Sequence, residues 1–215
     1  MTDIPEQEVL RYLRAGTAKD PALSAQVHAL CAEMKKSITP HYVVQEYECT
    51  ITTTRVTFGD TAFESFRLAH HLSGCRSLLL FAATLGFDAI RVIRTEQMRS
   101  MARGAIADAA ASAMIEQFCD DVQNTLADTY EKRGLYLRPR FSPGYGDFAL
   151  ASQQDFFRLL ELRGRLALTL SPDFIMSPSK SVTAVIGLTE DPSKSFRRPA
   201  APRSSSLSFR REGAL

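Results

Sequence analysis

The sequence predicts an α+β domain, and three observations support that prediction. Apolar residues recur at steps of three or four in several segments, which is the spacing of an amphipathic helix. Other segments are rich in valine, isoleucine, threonine and tyrosine, which is typical of strands. The two kinds of segment do not alternate regularly along the 215 residues, which favours α+β over a doubly wound parallel sheet.

The elements are predicted in order from local signals. Residues 5–15 form a short helix. A second helix begins at Asp20, a favourable N-cap followed by proline, and ends before Pro40. Residues 41–58 form two strands or one bent strand. After a turn at Gly59, either Asp60 or the following threonine caps a third helix, which runs to about residue 72. The remaining elements are a buried strand at 78–85, helices at 87–101 and 104–133, a structured loop at 138–147, a helix at 152–162, and strands at 166–170 and 181–188.

Composition and charge exclude several classes of protein. The sequence is 45% hydrophobic with a net charge of +2. Residues 193–215 hold six basic residues and one acidic residue, so they carry +5 and leave −3 for residues 1–192. The acidic body argues against a nucleic-acid partner. Without a secretory signal or an apolar run of about 20 residues, we expect a cytoplasmic protein with no membrane partner and reduced thiols.

We divide the chain at residue 190 into a domain, 1–190, and a basic tail, 191–215. The tail is rich in serine, arginine and proline and is predicted to be disordered. This tail either keeps the protein soluble or binds an acidic partner.

Common catalytic motifs are absent from the sequence: it contains no GxGxxG, P-loop, HExxH or GxSxG pattern. Adjacent histidines, His70 and His71, point about 100° apart on a helix, so we expect one buried and one exposed imidazole and no metal site. Asp120 and Asp121 are interpreted as a solvated helix face.

The loop at 138–147 is the best candidate for a binding site. An arginine such as Arg140 can hold a carboxylate through two hydrogen bonds. Gly144 allows a ligand to approach the backbone, and the Tyr145 ring can cover an adenine or face a cationic sulfonium. The combination suits a zwitterionic nucleoside. The alternative is an ordinary turn with a surface arginine and a packed tyrosine.

Residues 140–146, RFSPGYG, resemble the RxxPGY loop of the activation domain of vitamin B12-dependent methionine synthase. Residues 153–160 resemble the helix after that loop. Residues 168–182 resemble the LTES…AM.P..SV segment that follows the helix in the family. Upstream, 71–75 and 80–86 resemble the compact, free-standing relatives of that domain. The likeness spans about residues 8–190.

The resemblance implies a mixed, largely antiparallel sheet flanked by helices. It also implies a domain that binds S-adenosylmethionine and docks on a protein carrying oxidised cob(II)alamin. A flavodoxin-like electron donor reduces the cobalt by one electron, and the sulfonium methyl group then passes to it. We expect these 215 residues to be too few to hold the homocysteine, folate and cobalamin domains as well. The resemblance therefore implies a free-standing activation subunit of a split methionine synthase, which needs a cobalamin-binding subunit or another corrinoid protein and is not a complete enzyme alone.

The resemblance also assigns cofactor-binding roles, and none of them is catalytic. Arg140 would hold the ligand carboxylate. The backbone around Ser142 and Val182 would meet the adenine, Gly144 would give room, and Tyr145 would line the pocket.

One feature departs from the family's pattern. Acids that hold the ligand ammonium group in full-length synthases fall at Ser112 and near Gly134 in this sequence. Two alternatives therefore stand beside the first interpretation: a non-catalytic docking module for a corrinoid protein, and an S-adenosylmethionine sensor. The nearest substitute acids are Asp108, Glu116, Glu131 and Asp147.

Overall fold

Four antiparallel strands form the central sheet of the protein. The computed structural model describes residues 3–13 and 20–195. The sheet has the order β1-β5-β9-β6. Its strands are β1 (His41–Glu48), β5 (Ser77–Thr84), β6 (Tyr136–Phe141) and β9 (Ser181–Thr189). The smaller strands are β2 (Thr50–Ile51), β3 (Arg55–Phe58) and β4 (Thr61–Glu64), which form a second sheet, and β7 (Thr169–Leu170) and β8 (Met176–Ser177), which pair with each other.

Helices cover both faces of the central sheet. The helices are α1 (Glu6–Tyr12), α2 (Pro21–Ser37), α3 (Phe66–His71), α4 (Gly86–Arg99), α5 (Met101–Glu131), α6 (Gln153–Leu159) and α7 (Leu162–Arg165). Short 3-10 turns occur at Leu150–Ser152 and Pro192–Lys194.

Strand β5 is buried on both faces because apolar side chains alternate between two cores. One core holds α1, α2, α4 and α5, and the other holds β3, β4, α3 and the segment from α6 to β7. Leu79 and Phe81 enter the first core, whereas Leu78 and Leu80 enter the second. The predicted α+β class and largely antiparallel sheet are confirmed: every pairing within the central sheet is antiparallel.

The helix predicted to start at Asp60 is wrong. Residues 61–64 form β4, which pairs with β3 through a tight turn in which Gly59 has a positive φ of 52°. Phe63 points into the second core from this hairpin. The helix starts only at Phe66, where the Ser65 side chain accepts a hydrogen bond from the backbone of the first turn.

The predicted loop at 138–147 is also partly wrong. Its first four residues belong to β6, which pairs with β9 and shifts register between Leu137 and Arg140. Proline cannot donate a ladder hydrogen bond, and Pro139 sits at that irregularity. Likewise, the helix predicted to run to residue 162 breaks after Leu159, since Glu161 adopts a left-handed backbone with φ 51°.

Helices α4 and α5 cross closely at Gly104, where the alanine-rich half of α5 begins. A Cβ atom at Gly104 would meet the side chain of Gln97 and would lie 2.9 Å from its Cα atom. The space at this crossing therefore admits only glycine, as the small residues of this segment predicted.

Gly104→Val should destabilise the protein by about 1–3 kcal/mol, because the two helices must separate to admit the side chain. Urea unfolding measures the loss. Ala105→Val, on the exposed face of the same helix, is the matched control and should cost under about 1 kcal/mol. Equal losses in both variants would contradict the crossing as described.

The start of the predicted tail is described, and the rest is not. Asp191 accepts a hydrogen bond from the backbone of Ser193 and so caps the turn at Pro192–Lys194. Residues 196–215 lie outside the described residues, so their predicted disorder stays a prediction.

Candidate functional site

One pocket, of about 420 Å³, lies between α5, β6, the start of β9 and the loop after β6. Four of the five residues predicted to bind the ligand line it: Arg140, Ser142, Tyr145 and Val182. The other lining residues are Glu116, Asp120, Gln123, Pro139 and Phe141. The fold therefore brings together three segments that are distant in sequence. The binding roles of these residues remain predictions.

Arg140 is fixed against α5 by three hydrogen-bonding partners. Its guanidinium donates to Asp120 Oδ1 at 2.8 Å, to Gln123 Oε1 at 2.9 Å and to Glu116 Oε2 at 3.3 Å. These partners are spaced by four and three residues, so they share one face of the helix. A guanidinium has five N–H donors, so donors remain for a ligand carboxylate.

The acidic surroundings also govern the ionisation of Arg140. Its side chain is 14% exposed, and that of Asp120 is 9% exposed. Burial lowers the pKa of Arg140, but Cys119, Asp120 and Glu116 together raise it by more, so the net result is a pKa above the ordinary value. The guanidinium stays charged, and Asp120 holds its orientation before any ligand arrives.

The loop after β6 presents Tyr145 at the mouth of the pocket. The Tyr145 side chain is 71% exposed, and its ring lies 6.3 Å from that of Phe141, edge to face. Gly144 lies outside the pocket lining; its amide donates to the carbonyl of Phe148 at 2.8 Å, and its φ of 91° suits glycine. The predicted role of Gly144 in giving room is therefore a conformational one: it shapes the turn that carries Tyr145.

Asp147 fixes this loop to the first turn of α3. Its carboxylate accepts hydrogen bonds from Ser65 Oγ at 2.6 Å and from the amides of Phe66 at 2.8 Å and Arg67 at 3.2 Å. The Ser65 hydroxyl is the main cause of a lowered Asp147 pKa, with the two amides adding to it. Asp147 is therefore occupied as a helix cap and is not available to hold an ammonium group.

This cap predicts a specific acid sensitivity. Because the pKa of Asp147 is lower in the folded protein, its contribution to stability is present above the unfolded value of about 3.9 and is lost as pH falls through the lower folded value. Thermal melts between about pH 5 and pH 3 should show a smaller change in Tm for Asp147→Asn than for the wild type. Asp173→Asn, on an exposed turn, is the control and should follow the wild-type curve. A wild-type slope in Asp147→Asn would contradict the cap.

His71 packs against the part of β6 that lines the pocket. Its Nε2 lies 2.9 Å from the carbonyl oxygen of Pro139, and its ring packs on Phe141 at 5.1 Å. Burial lowers the pKa of His71. His70 is exposed and His71 is half-buried, so the prediction of one exposed imidazole agrees with the structure and the prediction of a buried one does so only in part. No group of three or more potential metal-ligating side chains occurs among residues 3–13 and 20–195.

A lysine contacts Ser112, the residue that stands where the family pattern places an acid. Lys180 Nζ donates to Ser112 Oγ at 2.8 Å and pairs with Asp108 at 2.9 Å. Asp108 therefore already forms an ion pair with Lys180. Glu131 is outside the pocket lining. Of the four substitute acids, only Glu116 lines the pocket, and its side chain is 44% exposed.

The interpretation of Asp120 as part of a solvated face is wrong, since it is buried against Arg140. The sequence analysis also did not identify Gln123 as a hydrogen-bond partner of Arg140. The available signal was the spacing of Glu116, Asp120 and Gln123, a polar stripe beside the apolar stripe of α5. Within the described parts of the chain, no helix is long and apolar enough to cross a membrane.

Comparisons with known proteins identify a structural neighbour but no sequence relative. No protein-family model and no curated protein matches the sequence. A crystal structure of the MetH reactivation domain bound to AdoHcy is similar, with a TM-score of 0.63 and 13% identity over 86% of this chain and 74% of that chain. This similarity establishes the fold, which is the one that the resemblance implied.

Proposed function

We propose that the pocket beside Arg140 binds S-adenosylmethionine. We further propose that the chain is the free-standing activation subunit of a split cobalamin-dependent methionine synthase. The observation that carries the proposal is the convergence of Arg140, Ser142, Tyr145 and Val182 on one pocket. The structurally similar MetH reactivation domain has been crystallised with AdoHcy, a nucleoside of the same class as S-adenosylmethionine.

The pocket offers a partner for each part of this ligand. Arg140 donates to the carboxylate, and Tyr145 covers the adenine or faces the sulfonium. Glu116 accepts from the ammonium group in place of the acid that is absent at Ser112. It is suited to this role because its contact with Arg140 is the longest of the three and its side chain is part exposed.

The chain positions the methyl donor, and the partner supplies the nucleophile. Cobalamin on the partner, once reduced by one electron from a flavodoxin-like donor, would supply the electron pair for the new bond to the methyl group; the electrons of the broken S–CH₃ bond would stay on sulfur, which gives AdoHcy. In the proposed reaction, no side chain of this protein forms a covalent bond with the methyl group. Its contribution is to hold the methyl group at the pocket mouth and to exclude water.

Reactivation of a cob(II)alamin-loaded methionine synthase subunit tests the proposal. Methylcobalamin should appear, by its absorbance spectrum, only when this chain, S-adenosylmethionine and the reductant are all present. A Tyr145→Ala variant should reduce the rate, and Tyr12→Ala, outside the pocket lining, is the control. Methylation at the same rate without this chain would overturn the proposal.

A second candidate is a docking module that caps a corrinoid protein without binding S-adenosylmethionine. Two observations favour it: Ser112, where an ammonium-holding acid is expected, is bound by the cation of Lys180, and Phe66 and Tyr145 are exposed by 53% and 71%. A corrinoid protein that binds this chain with no effect of S-adenosylmethionine would support the docking module and contradict the first proposal.

A further inference from the structure

The charges around Arg140 do not cancel. One guanidinium faces two carboxylates, Asp120 and Glu116, so these three groups sum to −1. Gln123 is neutral, and the adjacent pair of Lys180 and Asp108 sums to zero. The charged side chains that line the pocket therefore sum to −1.

The two ligands of the proposed reaction differ by one charge. S-adenosylmethionine carries a sulfonium, an ammonium and a carboxylate, for a net charge of +1. AdoHcy has a thioether in place of the sulfonium, for a net charge of zero. The adenosine and amino-acid parts are the same in both, so hydrogen bonds to them cannot discriminate. An electrostatic field at the sulfur can.

We propose that Asp120 and Glu116 make this pocket selective for the cationic methyl donor over its neutral demethylated product. The proposal rests on the proposed function, because it requires the pocket to bind such nucleosides. Asp120 is buried and held by Arg140 at 2.8 Å, so it supplies a fixed charge. Glu116, at 3.3 Å and part exposed, is able to turn towards the ligand.

The consequence is weakened product binding. Loss of the methyl group removes the sulfonium charge, and the attraction of the pocket falls at that moment. A unit charge about 12 Å away at an effective dielectric constant near 20 corresponds to about a tenfold difference in affinity, and a closer charge corresponds to a larger one. AdoHcy should therefore leave the pocket faster than the donor does.

Isothermal titration of the full chain with S-adenosylmethionine, AdoHcy and sinefungin tests this inference. Sinefungin carries an amine-bearing carbon where the donor has its methylated sulfonium, so it matches the donor's charge and contains neither the sulfur nor the methyl group. The donor and sinefungin should both bind about tenfold more tightly than AdoHcy. Glu116→Gln should lower this preference severalfold, whereas Glu33→Gln, an exposed charge outside the pocket lining, should leave it unchanged.

The outcomes separate the two proposals. Equal wild-type affinities for the donor and AdoHcy would overturn the selectivity and leave the proposed function standing. Failure of all three nucleosides to bind would overturn both. A preference that persists in both Glu116→Gln and Asp120→Asn would overturn the assignment to these acids; if Asp120→Asn does not fold, Glu116→Gln decides alone, because its side chain is part exposed.

Discussion

Arg140→Ala is expected both to weaken S-adenosylmethionine binding strongly and to destabilise the protein. The binding loss should be about a hundredfold, because the carboxylate loses its charge-assisted hydrogen-bond partner. The stability loss should be about 3 kcal/mol, because buried Asp120 is left without its cation. Calorimetry measures the first effect and urea unfolding the second.

Two variants separate these effects. Replacing Arg140 by methionine and Asp120 by leucine together should restore much of the stability, since no buried charge is left unpaired, but not the binding. Arg138→Ala should retain the ligand within about threefold, because Arg138 does not line the pocket and its Cγ lies near Gly187 on the opposite side of the sheet. Retained binding in Arg140→Ala would mean that the wrong arginine has been assigned.

Phe63→Ala is expected to cost about 3–5 kcal/mol of unfolding free energy, the largest single effect on stability. Phe63 is fully buried and contacts three aromatic rings, those of Phe58 and Phe148 at 5.0 Å and Phe156 at 5.8 Å. This cluster joins the β3–β4 hairpin to α6 and to the end of the Tyr145 loop.

Ligand binding should weaken in the same variant, because Phe148 accepts the hydrogen bond that shapes the turn at Gly144. Phe66→Ala, at a half-exposed ring nearby, is the control and should cost under about 1 kcal/mol. A loss in Phe63→Ala no greater than in Phe66→Ala would show that the aromatic cluster does not support the loop.

Much of the fold was predictable because its signals are local. The continuous apolar run at β5 predicts a strand buried on both faces, and the alanine-rich start of α5 predicts a close helix crossing. The hairpin of β3 and β4 was missed for a physical reason. Asp60 is a good helix cap in isolation, and only the long-range packing of Phe63 decides in favour of a strand.

The site was partly predictable on the same grounds. A short motif singled out Arg140, Ser142 and Tyr145, which line one pocket together with Val182 from β9, and their binding roles stay predictions. The acids on α5 were not predictable in the same way. The pairing of Asp120 with Arg140 depends on how a 31-residue helix lies across β6, and no local pattern states that register.

Equilibrium binding of S-adenosylmethionine to the full chain tests the central claim most directly. Calorimetry should show one ligand per chain with a micromolar Kd. Tyr145→Ala should weaken binding about tenfold or more, and Tyr145→Phe, which keeps the ring, should weaken it less. Absence of any binding by folded wild-type protein would contradict the account.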